Sequence, residues 1–87
     1  MEPIDRLRSL LKSGQLSYAE VLIEEQLKQS VTPVDESRWY SHLGVVKALS
    51  GRPDLSPLIQ AIRLDPINST ARINLEILQA DQHQERF

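Results

Sequence analysis

Apolar residues recur along this chain at the three- and four-residue steps of an α-helix. Ile4, Leu7, Leu10 and Leu11 form a first stripe, and Ala19, Leu22, Ile23 and Leu27 a second. Trp39, Tyr40, Leu43, Gly44 and Leu49 make a third. Ala61, Ile62 and Leu64 follow, then Ala71, Leu75 and Leu78. Strand-like alternation of apolar and polar residues occurs nowhere, so the pattern predicts an all-α chain of about five antiparallel helices joined by short loops.

Local stop and start signals divide the stripes. A first helix from Pro3 to Ser13 has Pro3 in its first turn and Gly14 at its end. The segment Ser17-Tyr18-Ala19-Glu20 fits a capping box for the second, with Leu16 placed to staple against Val21 and fraying expected by Ser30. Val31-Thr32-Pro33-Val34 reads as a connector. Asp35 is the expected cap of the third helix, with Val34 and Trp39 as its staple pair, and Ser50-Gly51-Arg52-Pro53 ends it. A short fourth helix runs from about Leu55 to Leu64, with Ser56 as cap and Pro57 in the first turn. Asp65-Pro66 halts it, and Asn68 or Ser69 caps the fifth. One domain over residues 1–80 is expected, with 81–87 a polar, frayed tail.

The segment Ala61–Leu78, AIRLDPINSTARINLEIL, resembles the junction between two tetratricopeptide repeats. Trp39 or Tyr40 followed by Leu43-Gly44, the turn at Gly51, and Ala61 with Asp65-Pro66 match one such helix pair. In this pattern Gly44 is the small residue that lets paired helices approach closely. Leu43 and Leu75 hold equivalent places 32 residues apart, so the repeat is two short of the usual period of about 34. The shortfall falls on the fourth helix and implies weaker packing there. The first two helices form a degenerate repeat with Gly14 and Ala19 but no Leu-Gly pair. The fifth matches an opening helix through Ala71 and Asn74-Leu75, although Glu76 replaces the expected small residue. The resemblance implies a right-handed array of helix hairpins, two repeats plus an unpaired C-terminal helix.

It also implies a mode of action. First helices of successive repeats line a concave groove, which assigns partner binding here to Ile4, Arg8 and Leu11 on the first helix. Arg38, His42, Val45 and Leu49 follow on the third, and Ile73, Asn74 and Ile77 on the fifth. A clamp for a terminal carboxylate is rejected, because the matching lysines are absent. A mainly apolar groove suits an amphipathic helix or apolar segment of a protein partner, as in small adaptors and chaperones.

The fifth helix sharpens this expectation. Ala71, Leu75 and Leu78 lie on one stripe, and Ile73, Ile77 and Ala80 on another about 160° away. A helix that ends a solenoid usually carries a polar outer face, and this one does not. Three outcomes are open: a protein partner covers the second stripe, two copies pair through it as a homodimer, or the helix tilts and buries both stripes against the first and third.

Composition narrows the alternatives. A net charge of -2 gives no drive toward nucleic acid, and no stretch approaches the ~20 apolar residues needed to cross a bilayer. Zero cysteines exclude a disulfide framework and fit a cytoplasmic location. The start at Met1-Glu2-Pro3-Ile4-Asp5 lacks the basic and apolar regions of a secretory signal and favours a genuine N-terminus. His42 and His83 have no carboxylate cluster beside them, so no enzyme activity, metal or cofactor is expected. Arg6, Arg8 and Lys12 read as a solvated face or as a charged rim steering an acidic partner. Trp39 reads as core or edge packing through its staple with Val34, with an exposed binding anchor as the alternative.

Overall fold

A computed structural model describes the backbone of residues 2–84 and the side chains of residues 2–81. The described residues form five helices and no strand: α1 (Pro3–Lys12), α2 (Leu16–Gln29), α3 (Pro33–Leu49), α4 (Ser56–Leu64) and α5 (Ser69–Gln84). The polar segment expected to fray from Asp81 is helical in its backbone to Gln84, and residues 85–87 lie outside the described part. No described helix is long and apolar enough to cross a membrane.

Both glycine turns close helices in the same way. Gly14 and Gly51 adopt φ of 73° and 78°, a left-handed conformation that only glycine takes without steric cost. At the first, the Gly14 amide donates to the Leu11 carbonyl and the Gln15 amide to the Leu10 carbonyl. At the second, the Gly51 amide donates to Ala48 and the Arg52 amide to Lys47. Each is a Schellman motif, which satisfies the last carbonyls of a helix and reverses the chain.

Three helix starts differ from expectation. The capping box at Ser17 and Glu20 does not form: α2 begins at Leu16, and its N-cap Gln15 makes no side-chain capping bond. The Gly14 turn delivers the chain into helical geometry before Ser17, and the Glu20 carboxylate instead pairs with Arg52 at 2.8 Å. In α3 the cap is Thr32, whose hydroxyl accepts the Asp35 amide at 3.1 Å. Pro33 supplies a ready-made helical φ just inside the start, so the helix opens two residues before Asp35. Val34 therefore sits within the first turn, which removes the staple with Trp39. In α4, Ser56 is the first helical residue, and the Asp54 carboxylate accepts its amide at 3.0 Å. That bond, followed by one from the Ser56 hydroxyl and by the nearby Lys47, holds the Asp54 carboxyl below its usual range. For α5 the open choice resolves to Asn68, whose side-chain oxygen accepts the Ala71 amide at 3.0 Å.

Each helix packs on its neighbours in the chain, and α3 additionally touches α5. The α3–α4 pair is the most extensive contact, so the weaker packing expected of the short fourth helix is not found. Gly44 is the reason: a Cβ there would lie 2.7 Å from Leu58 Cγ, so the missing side chain lets Leu58 fill the space. Length lost from α4 is made good by closeness.

The core has two parts. Leu7, Ala19, Leu22, Ile23, Trp39, Leu43 and Val46 join α1, α2 and α3. Leu58, Ala61 and Ala71 join α4 and α5 beneath Ile62, Leu75 and Leu78. Tyr40 packs against both. Between them lies one buried polar relay. The Ser37 hydroxyl, wholly buried, donates to the Ala61 carbonyl at 2.7 Å and accepts from Asn68 Nδ2 at 2.9 Å. The molecule is a slab of 43 × 30 × 16 Å.

Candidate protein-binding groove

The residues shared between helices fix their directions. Glu2, Pro3 and Ile4 share a cleft with Asp35, Arg38, Trp39 and His42, bringing the start of α1 beside the first half of α3. Ser69 and Thr70 likewise share a cleft with Arg38 and His42, while Asn74, Ile77 and Leu78 share one with Val45, Ala48 and Leu49. Thus α3 and α5 run side by side in one direction, with α4 as the antiparallel return, and the start of α1 lies beside the first half of α3. The backbones of α1 and α3 stay apart, and only side chains meet across that gap.

The predicted residues divide into two groups on this surface. Val45, Leu49, Asn74 and Ile77 come together with Ala48 and Leu78 in a cleft of about 150 Å³ whose walls are almost wholly apolar. Leu49 and Ile77 are 59% and 53% exposed there. Toward the other end, Ile4, Arg38 and His42 line the cleft between α1 and α3, of about 350 Å³. Leu11 is half-buried and belongs to the larger core. Arg8 is exposed and 3.8 Å from Asp5, a separation that contributes little to stability at the surface.

His42 lies half-buried, its ring 5.5 Å from that of Trp39 at a tilt of 59°. Burial lowers its pKa from the ordinary 6.5, and the positive charge of Arg8 lowers it further. His42 is therefore neutral at pH 7. His83 lies outside the described side chains. Trp39 is 8% exposed and stands in the core, as expected.

The second stripe of α5 is uncovered. Ala71 is buried and Leu75 and Leu78 half-buried, while Ile73 and Ile77 are 55% and 53% exposed. The outcome in which α5 tilts to bury both stripes does not occur. Ile77 turns toward α3, whereas Ile73 lines none of the clefts described.

Sequence reasoning missed Ala48 and Leu78 as groove walls, although both continue the helical spacing of Val45 and Asn74. It also missed Ser37 and Ser41, two serines buried on α3. Serine in a helix is usually solvent-facing, and only tertiary partners 24 and 31 residues away explain Ser37. Comparison with protein-family models, with curated proteins and with solved structures found no significant match for this chain.

Proposed function

We propose that this chain is a protein-binding module of tetratricopeptide-like build, an adaptor or chaperone working in the cytoplasm. It holds an apolar or amphipathic segment of a protein partner in the groove of α1, α3 and α5. The observation that carries the reading is the apolar cleft between α3 and α5, in which Leu49 and Ile77 remain more than half exposed. Completing their burial would contribute roughly 2–3 kcal/mol at about 1.5–3 kcal/mol per fully buried aliphatic side chain. The shared direction of α3 and α5 and the matched glycine turns after α1 and α3 support a repeat build. Partner binding would act by mass action, stabilising the folded module while covering the partner's apolar surface.

Ile73 favours a second reading. It is 55% exposed on α5 and lies outside the clefts, where a two-fold contact with another copy could cover it. Light scattering with variants separates the two. A monomer that captures a partner, and loses it on Ile77→Glu or Leu49→Glu but not on Ile73→Glu, supports the adaptor. A dimer that becomes monomeric on Ile73→Glu supports self-association. A monomer from which all three variants retain every bound protein would sink both.

A further inference from the structure

A cleft of about 430 Å³ lies between the first half of α3 and the start of α5, and its chemistry is unlike that of the apolar cleft beside Leu49 and Ile77. Arg38, Ser41, His42, Ser69 and Thr70 line it, with Val34 and Ile67 as apolar rim. Among the described residues, Arg38 pairs with no carboxylate.

The start of α5 adds backbone donors. Asn68 caps the Ala71 amide, and the Arg72 amide donates to the Asn68 carbonyl, whereas the Ser69 and Thr70 amides have no acceptor among the described residues. Two unsatisfied amides at the positive end of a 16-residue helix favour an anion. Asn68 cannot compete for the place, because its Nδ2 is held by Ser37 and its oxygen by Ala71.

Ser41 supplies an independent indication. The residue is only 4% exposed, yet its hydroxyl makes no hydrogen bond to any described residue. No fully buried side-chain oxygen or nitrogen in the described chain is left without a partner. The Ser41 hydroxyl therefore keeps some access to solvent, and of the clefts described Ser41 lines this one alone.

We propose that this cleft binds a single oxyanion, a phosphate or carboxylate group, held by the Arg38 guanidinium, the Ser41 hydroxyl and the amides of Ser69 and Thr70. Asp65 is the one carboxylate on its wall, and one of its oxygens accepts the Ile67 amide at 3.3 Å. Its charge opposes the attraction of Arg38 for an anion, so the site relies on the neutral donors as well as on the guanidinium. None of the site's residues lines the apolar cleft of Leu49 and Ile77, whereas Arg38 and His42 also line the cleft between α1 and α3.

The test is a titration of the ¹⁵N-labelled chain with sodium phosphate, and separately with sodium acetate, against sodium chloride at constant ionic strength. Saturable shifts of the Ser69 and Thr70 amides are expected with phosphate or with both oxyanions, and not with chloride. Saturation by phosphate alone identifies a phosphoryl ligand, and saturation by both a general oxyanion site; either supports the proposal. Arg38→Gln should weaken binding about tenfold or more, as expected for loss of a charge-assisted hydrogen bond, and Asp65→Asn should strengthen it. Ser41→Ala, a change small enough to keep the fold, should weaken it by a smaller factor. Shifts that rise linearly, match those in chloride, or persist unchanged in the Arg38→Gln and Ser41→Ala variants would overturn it.

Discussion

Ser37 and Asn68, 31 residues apart, are joined by one hydrogen bond of 2.9 Å that fastens the α4–α5 turn to α3. Asn68 works in two directions at once, capping α5 through its oxygen and reaching α3 through its nitrogen. Asn68→Ala should therefore cost about 1–3 kcal/mol, combining a lost cap with a lost buried bond. Ser37→Ala should cost about 1 kcal/mol, because the Ala61 carbonyl keeps the Asp65 amide as donor. Urea denaturation of both single variants and the double variant measures this. Purely additive losses would argue against a shared relay.

Gly44→Ala tests the close approach of α3 and α4. In a solvent-exposed helix interior this substitution stabilises by about 1 kcal/mol. Here the new methyl meets Leu58 at 2.7 Å, and overpacking should reverse the sign, to a net loss of about 1–2 kcal/mol. Combined with Leu58→Ala, the loss from Gly44→Ala should shrink or vanish in thermal unfolding.

At Gly14 and Gly51 the argument is about backbone alone. Nothing lies within 4 Å of a Cβ at either position, yet both sit at positive φ. Each alanine substitution should cost about 1–2 kcal/mol, with no rescue from any neighbouring truncation. Asparagine, which tolerates the left-handed region better, should cost less at both sites.

Acid should loosen the protein through His42. Its folded pKa lies below the unfolded 6.5, so the unfolded chain binds more protons as pH falls through 6.5. Stability is fully present above that value and declines below it. Urea midpoints at pH 7.5 and 5.5 should differ in the parent chain and differ less in His42→Gln. Equal differences in both would assign the acid sensitivity elsewhere.

The helices, their order and the two glycine turns were legible in the sequence because 3.6-residue periodicity and positive φ are local properties. The exposed Ile73/Ile77 stripe was legible too, since two apolar faces on one helix exceed what one neighbour can cover. Three caps were misplaced because the preceding segment decides each start: the Gly14 turn for α2, Thr32-Pro33 for α3 and Asp54 for α4. The Ser37–Asn68 relay and the unpaired Ser41 hydroxyl could not be read from the sequence, because both depend on α5 lying against α3. The strength of the α3–α4 contact was misjudged for a related reason: helix length was visible, and the distance gained at Gly44 was not.

The order in which helices touch has a kinetic side. Only the α3–α5 contact skips a helix, so forming this slab closes short loops almost everywhere. Low contact order of this kind gives folding in microseconds to milliseconds, as in small helical bundles. Such a chain could acquire its binding surface progressively, with α5, the helix bearing Ile73 and Ile77, among the last elements to find its place. Temperature-jump relaxation should then be fast, and amides of α5 should exchange with solvent sooner than those of α2 and α3.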